Sequence, residues 1–501
     1  MSTWASLVRT AVLGTERGVL TQPTGDTPLE TLLAAAVSPS AEQTLLRQAG
    51  LIAQYESMGQ LPPQTDSPPA TESFATTSTQ QMPFMTMFAN RYKDMLPAYL
   101  ARLVAANQTV SPRFLPNVLD YGAISSHQSH LVIDAIGPHG RQIAEHNPQW
   151  AYATEAVDTW DGASRLWRKP KIQRRQALLR QLRHRKPDLG RPLLSSTWKS
   201  ESDTTRLGLL RLLETNLSSA DEPFIEAARS DRHAAVRREA VRLLCMLPNS
   251  NLSKRMTLAT VNVIRWNSRN QAIEVRFPAV FTSSLTRDGV PIRTEKKKGA
   301  TLRMEQLGAM VRAVPLDVWP QRLGISAEKF LAAVQTSSWP RTLTSALIQA
   351  VQNQNDSAWA MRILTQQGIT PGNHKLVAVL TPETRDRLAR RYAEREHGTF
   401  AERGSQFLRL SANLPVPWSI TCSELWLNAF VNFLSAKPDR SVTHAASSSL
   451  RRFSRACPPV LLDTAINALL PLVSTQSWRG KVQEAIHALR FRKEMEQSIS
   501  G

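Results

Sequence analysis

The amino-acid sequence predicts an all-α protein made of stacked helix pairs, with one small β-hairpin inserted among them. Three observations support this fold class. Apolar residues recur at helical spacing along most of the 501 residues, a 31-residue repeat runs through the middle of the chain, and β-branched runs are confined to one short stretch. The helical patterns are separated by prolines such as Pro112, Pro187 and Pro248, so the breaks between helices are expected to be short.

The composition is that of an ordinary globular protein with a strongly basic charge balance. Lys and Arg number 61 against 41 Asp and Glu, which gives a net charge of +20, while 42% of the residues are apolar. Three cysteines far apart in the sequence, Cys245, Cys422 and Cys457, exclude a disulfide framework and a zinc site made of cysteines alone. No uncharged apolar run reaches the roughly 18 to 20 residues of a membrane helix, and Arg9 interrupts the only candidate signal sequence. We therefore expect a soluble, cytoplasmic protein.

Residues 1–58 are predicted to form an N-terminal helical segment. Its first helix carries one apolar stripe at helical spacing and ends at Gly14. The stripe consists of Trp4, Leu7, Val8, Ala11 and Val12. Two further helical patterns follow, at about 27–37 and 41–57.

Residues 59–83 interrupt the helical pattern. The stretch contains five prolines, many Ser, Thr and Gln residues, and no Lys or Arg. Such a composition buries too little apolar surface to offset the entropy lost when the chain is ordered, so we predict a flexible linker. The alternative is a long loop that packs on the surface.

Beyond the linker, two helical-repeat regions are predicted at 84–256 and 301–501, with a small β insertion at 257–300 between them. The insertion is indicated by two runs rich in β-branched residues, Leu258–Ile264 and Ala272–Phe277. A turn-like Asn-Ser-Arg-Asn segment lies between the two runs, which is typical of a hairpin.

The internal repeat is the most specific feature of the sequence. Shifting residues 165–213 by 31 places Trp167 on Trp198, and a second shift of 31 continues part of the pattern. The arginines that superpose form two series, Arg175, Arg206 and Arg237 in one and Arg180, Arg211 and Arg242 in the other. A two-helix unit of this length cannot bury its apolar face alone, so neighbouring units must stack. The pattern predicts an α-solenoid of the HEAT or armadillo kind; the alternative is a helical bundle whose helices happen to be evenly spaced.

The third repeat unit can be interpreted residue by residue. A predicted buried stripe runs along its longer helix and comprises Val236, Ala240, Leu243, Leu244 and Leu247. Arg237, Arg238 and Arg242 lie off that stripe. Ser230 and Asp231 precede the helix and are expected to cap its first N–H groups.

Four sequence landmarks are spread over nearly the whole chain. They are Trp4-x-x-Leu7-Val8-x-x-Ala11-Val12-Leu13-Gly14-Thr15-Glu16-Arg17, Asn147-Pro148-x-Trp150, Asp221-Glu222-Pro223-Phe224 and Pro417-Trp418-Ser419. Together they resemble an uncharacterised bacterial family that carries a domain-of-unknown-function label. Its genes typically sit beside those for a MoxR-type AAA ATPase, a von Willebrand A-domain protein and a SWIM zinc-finger protein. The resemblance therefore implies a scaffold or adaptor of an ATP-driven assembly, and it supplies no catalytic residues.

The window 165–191 is the strongest candidate for a binding surface. It holds eleven Lys or Arg residues and a single acidic residue, Asp188. The candidate contacts are Arg168, Lys169, Lys171, Arg174, Arg175, Arg180, Arg183, Arg185 and Lys186. Their mutual repulsion is relieved by solvation, by an acidic protein surface or by nucleic acid, and the sequence leaves these three open. A smaller basic run, Lys296, Lys297 and Lys298, is either a solvated loop or a second anion contact.

No motif for a metal, a cofactor or catalysis is evident. His127, His130, His139 and His146 lie close together, but no H-E-x-x-H pattern and no nearby cysteine accompany them. Phosphate-binding glycine loops and nucleophile elbows are absent as well. We therefore predict a scaffold that is not an enzyme and needs no cofactor. The main alternative is a nucleic-acid-binding protein.

An enzyme similar to the helical-repeat DNA alkylation glycosylases is the remaining alternative. Such an enzyme needs a carboxylate beside aromatic residues in a basic groove. Trp160, Asp161 and Asp158, near the basic window, are the only candidates for that role.

Overall fold

The chain divides into two compact units, Met1–Ser73 and Phe74–Gly501. A computed structural model describes residues 3–18, 20, 27–57, 79–89, 92–125, 128–150, 152–154, 159–168, 172–292, 299–400, 404–435 and 440–500. Across these ranges the backbone forms 28 α-helices and one antiparallel sheet of two strands. The predicted fold class, all-α and repeat-like with a small β-hairpin, is confirmed.

The first unit contains the three helices that the N-terminal patterns predict. They are α1 (Thr3–Leu13), α2 (Pro28–Ala35) and α3 (Ala41–Ser57). Thr27 caps α2, because its side-chain oxygen accepts a hydrogen bond of 3.2 Å from the Glu30 N–H. The buried apolar residues of this unit are Leu7, Leu33 and Ile52.

The apolar stripe of α1 is mostly not part of that small core. Leu7 is buried, whereas Trp4, Val8 and Val12 are exposed. The helical spacing therefore predicted the helix correctly, but a buried stripe does not follow from spacing alone.

The second unit contains the remaining helices, which are short and closely spaced along the chain. Their bounds are α4 Gln81–Phe88, α5 Leu96–Ala105, α6 Leu115–Ile124, α7 Ser129–Ala135, α8 Gly137–Glu145, α9 Trp160–Trp167, α10 Ile172–Arg185, α11 Pro187–Thr197, α12 Asp203–Arg211, α13 Glu222–Ala228, α14 Ala234–Leu244, α15 Asn251–Thr260, α16 Ser283–Arg287, α17 Gly299–Ala313, α18 Val318–Leu323, α19 Ala327–Thr336, α20 Pro340–Gln354, α21 Ser357–Gln367, α22 Leu376–Val379, α23 Pro382–Arg395, α24 Gln406–Asn413, α25 Ile420–Ser435, α26 Arg440–Ala456, α27 Leu462–Leu469 and α28 Arg479–Ser500.

Helix α4 begins inside the segment predicted as a linker. Residues 81–83 belong to this helix, and Pro83 is tolerated because it occupies the first turn, where its missing N–H has no intrahelical partner. Phe84 and Met87 anchor α4 in the core. Residues 59–78 of the predicted linker lie outside the described residues, and residues 79–80 form a turn that leads into α4.

The β insertion is a two-stranded hairpin of β1 (Ile264–Asn267) and β2 (Ala272–Val275), in which Ile264 pairs with Val275. The second strand matches the prediction, but the first strand was predicted too early. Residues 258–260 are the last turn of α15, which Ser250 caps by accepting a hydrogen bond from the Ser253 N–H. The capped helix outweighs the β-branched composition of its end.

The helices of the second unit pack in a series that returns to its starting point. In order, the packed neighbours are α5, α7, α10, α12, α14, α15, α17, α20, α22, α24, α26 and α28. Helix α28 packs in turn against α4 and α5. Stacking of neighbours was predicted from the repeat, whereas this closure by the last helix was not.

The last helix closes the series through both halves of its length. Its earlier part contributes Ile486 and Leu489 to the core of the repeats, and its end contributes Phe491 and Met495 to the core around α4–α8. At the second contact the hydroxyls of Tyr99 and Ser498 lie 2.7 Å apart, buried from solvent. Arg102 pairs with Glu496 at 2.6 Å near the same end.

The 31-residue repeat is visible as a repeated set of contacts between helices. Arg175 lies over the ring of Trp167 at 5.9 Å and pairs with Glu201, and one repeat later Arg206 lies over Trp198 at 6.0 Å. Arg206 also pairs with Asp231, at 2.8 Å. Each set joins one helix pair to the next, which explains why the spacing recurs in the sequence.

The third repeat departs from this arrangement. Arg237 is exposed and donates to the backbone carbonyls of Asp231 and Arg232, at 2.8 Å each. The carboxylate of Asp231 accepts from the His233 N–H instead of capping α14, so the predicted cap is wrong. The predicted buried stripe is confirmed for Val236, Ala240, Leu243 and Leu244, whereas Leu247 lies beyond the helix and is only partly buried.

Candidate functional site

Arg183, in the middle of the basic window, is an interior residue and not a surface contact. Its side chain and that of Asp221 are both fully buried, and the two form a paired hydrogen bond at 2.8 and 2.9 Å. The guanidinium also donates to the backbone carbonyls of Thr215 and Asn216, at 2.8 and 2.6 Å. The prediction that Arg183 contacts a partner is therefore wrong.

Two more arginines of the window are held by carboxylates of the chain itself. Arg175 pairs with Glu201, and both side chains are mostly buried. Arg185 pairs with Asp134 of α7, and burial lowers the pKa of Arg185. These two residues tie α10 to its neighbours, so their predicted role as free anion contacts is not what the geometry shows.

The remaining described residues of the window still face solvent in part. Arg168 and Lys186 are exposed, and Arg174 and Arg180 are partly buried. Burial lowers the pKa of Arg180. The other predicted contacts, Lys169, Lys171, Lys296, Lys297 and Lys298, lie outside the described residues.

Three arginines that recur at 31-residue spacing form what we call the arginine ladder: Arg180, Arg211 and Arg242. They lie near the ends of α10, α12 and α14, and these helices pack side by side in that order. Each arginine follows a buried apolar residue by two positions, so the same helical face carries one guanidinium in each repeat. Arg211 is the most accessible of the paired ladder residues, with 61% of its side chain exposed.

Two glutamates lie between the rungs of the arginine ladder. Glu239 is 2.7 Å from Arg242 and 3.8 Å from Arg211, and Glu214 is 2.7 Å from Arg242. Burial lowers the pKa of Arg242, but its hydrogen bonds with Glu239 and Glu214 outweigh that effect and raise the pKa above its ordinary value. The ladder is therefore an alternation of charges with a positive excess, and its arginines are spaced one repeat apart.

A second basic feature, which we call the arginine groove, lies between α14, α17 and α20. It is a surface groove of about 610 Å³ lined by three arginines from three helices, Arg238, Arg312 and Arg341. Sequence reasoning missed it because the three residues are far apart in the chain and do not belong to one repeat unit. The only signal was Arg238, which lies off the buried stripe of its helix.

The cysteine and histidine side chains were considered as metal-binding or reactive groups. Burial raises the pKa of each cysteine thiol to about 12, and all three cysteines are buried. Within the described ranges, no three His, Cys, Asp or Glu side chains are grouped to hold a metal ion. His130 stacks on His184 at 4.1 Å, with burial lowering the pKa of His184.

The structure describes two of the three residues considered for a glycosylase-like site. Trp160 and Asp161 are exposed at the start of α9, and Asp158 lies outside the described residues. His127 also lies outside them.

Among the described helices, none is by itself both long and apolar enough to span a membrane. The helices Thr443–Ala456 and Pro459–Ser474, bent by 113° relative to each other, meet the length and composition test only as a pair.

Fold and surface together define a helical-repeat protein with basic features on several of its repeats. The sequence model of a family of unknown function, DUF5691, matches residues 6–499, so the chain belongs to that family. This confirms the resemblance to an uncharacterised family. No curated protein matches the chain, and no solved structure matches it either.

Proposed function

We propose that this protein is a non-enzymatic scaffold, an α-solenoid of the HEAT or armadillo kind, that binds an acidic segment of a protein partner along the arginine ladder. The observation that carries the proposal is the recurrence of one exposed or partly exposed arginine in each of three packed repeats. Stacked repeats hold such side chains at fixed distances, so the ladder matches a ligand whose charges are spaced equally.

The spacing of the ladder defines the partner. Helices that pack side by side lie about 8–10 Å apart, and a peptide in the polyproline II conformation advances about 3.1 Å per residue with three residues per turn, so every third side chain points the same way. A segment with an acidic residue at every third position therefore presents one carboxylate to each rung. Arginine binds carboxylates with paired hydrogen bonds, which favours this geometry.

The glutamates of the ladder favour a protein partner over nucleic acid. Double-stranded DNA carries about one charge per 1.7 Å of axis, so its phosphates would lie over Glu214 and Glu239 as well as over the arginines. A peptide with neutral residues between its carboxylates avoids that repulsion. Nucleic acid is therefore expected to bind the ladder more weakly than such a peptide does.

A synthetic peptide tests the proposal directly. We expect a peptide with Glu at every third position to bind the full chain more tightly than the same peptide with Gln, measured by fluorescence anisotropy at low salt. Arg211→Glu should abolish the preference, because it places a negative charge on the most accessible paired rung. Arg390→Glu, on an exposed position of α23, is the matched control. Equal binding of the Glu and Gln peptides, or stronger binding of duplex DNA, contradicts the proposal.

For the physiological partner we propose the proteins that the family resemblance suggests, a MoxR-type AAA ATPase and a von Willebrand A-domain protein. Affinity capture of the tagged chain in low salt tests this assignment. The expected result is recovery of at least one of the two with the wild-type chain and loss of it with Arg211→Glu. Recovery of neither protein overturns the assignment of partners.

A further inference from the structure

The arginine groove differs from the ladder in the pairing of its arginines. In the part of the chain that the structure describes, the side chains of Arg238 and Arg341 form no ion pair. Nearby arginines are paired: Arg229 and Arg255 both bind the buried carboxylate of Asp288. Two guanidiniums at one groove that have no carboxylate partner are available for charge-assisted hydrogen bonds with an anion.

The rest of the lining adds further hydrogen-bonding groups. Arg312 is the third guanidinium, and it donates to the Gln349 amide oxygen at 3.3 Å. Thr342 and Ser345 line the α20 side of the groove. Glu305 also contributes to the lining, so three positive charges face one negative charge.

From these observations we propose that the arginine groove binds a polyphosphate group, as carried by inorganic polyphosphate and by nucleoside di- and triphosphates. Guanidinium groups match phosphate oxygens with paired, charge-assisted hydrogen bonds. The groove volume of about 610 Å³ lies within the range of small-molecule sites, about 300–1,000 Å³, which is more room than one phosphate requires. This site is independent of the peptide-binding role proposed for the arginine ladder.

Gly308 provides a way to block the groove without removing a charge. It lies on α17 among the lining residues, and an added Cβ would meet no atom closer than the Thr342 methyl, at 4.0 Å. A leucine at this position therefore places its side chain in the groove while the three arginines remain.

Calorimetric titration of the full chain with sodium tripolyphosphate, in buffer free of divalent cations, tests the proposal. We expect binding by the wild-type chain, and Arg238→Ala, Arg341→Ala and Gly308→Leu should each weaken it about tenfold or more. The two arginine variants each lose a guanidinium that would bind the phosphates, and the leucine fills the space that the ligand needs. Arg390→Ala, with an arginine on the exposed surface of α23, should bind as the wild type does. Thermal unfolding of every variant confirms that it is folded.

Parallel titrations with ATP and with inorganic phosphate distinguish the sources of the ligand. ATP binding equal to that of tripolyphosphate indicates that the phosphates alone are recognised, and tighter ATP binding indicates a nucleotide. Absence of binding by every polyphosphate, or equal binding by the wild type and the three groove variants, overturns the proposal. Arg211→Glu should leave tripolyphosphate binding unchanged, so failure of the groove and failure of the ladder are separable.

Discussion

The guanidinium of Arg183 and the carboxylate of Asp221 form a fully buried ion pair that joins α10 to the start of α13. The pair is well satisfied, because Arg183 also donates to three backbone carbonyls and Asp221 accepts from the Ser218 N–H at 2.9 Å. A buried charge pair with this many hydrogen bonds fixes the relative position of two helices. Arg183 thus holds the repeats together, whereas the sequence had placed it on their surface.

Arg183→Ala is expected to destabilise the protein strongly. The substitution leaves the Asp221 carboxylate buried without its main partner, which costs about 3–5 kcal/mol in such sites. The free energy of unfolding, measured by chemical denaturation, should fall by that order. Arg174→Ala changes a partly exposed arginine of the same helix and should alter the free energy of unfolding by less than about 1 kcal/mol. Equal effects of the two substitutions on the free energy of unfolding would contradict a stabilising role of the buried pair of Arg183 and Asp221.

The sequence contained two indications that Arg183 is buried while other arginines of the same window are exposed. Arg183 follows the buried Leu179 by four positions, so it lies on the apolar side of α10, and it has no counterpart one repeat later, where Glu214 stands. These two signals were present in the sequence. The count of charged residues in the window 165–191 did not reveal the buried position of Arg183, because a count does not distinguish the two faces of a helix.

The helical fold and the repeat could be predicted because both depend on local spacing. Apolar periodicity and a 31-residue self-match need only neighbouring residues to be seen. The packing of α28 on α5 and the convergence of Arg238 with Arg341 depend on residues far apart in the chain. Such contacts are set by tertiary packing, and a single sequence carries no direct signal for them.

Phe491→Ala is expected to weaken the packing of α28 against α4 and α5. Phe491 is buried and stacks on Tyr92 at 5.0 Å, so its truncation should cost about 3–5 kcal/mol. Because its contacts belong to the core around α4–α8, hydrogen exchange should accelerate mainly in residues 92–150. Glu494→Ala, at an exposed position of α28, is the control and should leave exchange unchanged. A uniform acceleration along the whole chain would contradict a local role of the closing helix.

The three cysteines are expected to be unreactive in the folded protein. Burial raises the pKa of Cys245 from 9.0 to about 12, so the thiol of the folded chain stays protonated at a pH where the unfolded chain begins to ionise. The thiolate is the reactive form, so a thiol reagent at about pH 8 should modify none of the three until denaturant is added. Rapid labelling of the native protein would contradict the buried positions of these residues.

The raised pKa of Cys245 also predicts how the free energy of unfolding changes at alkaline pH. A group whose folded pKa is raised binds its proton more tightly in the folded state, so its contribution to stability is complete below the unfolded pKa of about 9 and is lost as the pH rises towards about 12. The free energy of unfolding should therefore decline over this interval. Cys245→Ala should decline less steeply than the wild type, because it removes one of the groups that titrate.

Two glycines in helices should respond in opposite directions to the same substitution. Gly308 lies in the interior of α17, where a Cβ has room, so Gly308→Ala should stabilise the protein by about 0.5–1 kcal/mol through a smaller loss of chain entropy on folding. Gly122 lies in α6, where a Cβ would overlap the hydroxyl of Tyr152. That hydroxyl donates a hydrogen bond of 2.9 Å to the Leu119 carbonyl. Moving the tyrosine away from a new methyl group would break this hydrogen bond.

Gly122→Ala should therefore destabilise the protein by about 1–3 kcal/mol, as insertion of a methyl group into a packed core does. Denaturation curves of the two variants beside the wild type measure both effects under identical conditions. Because helix propensity alone favours alanine at both positions, only the packing around Tyr152 gives the two substitutions opposite signs. Stabilisation by both substitutions would show that Tyr152 does not pack against α6 as described.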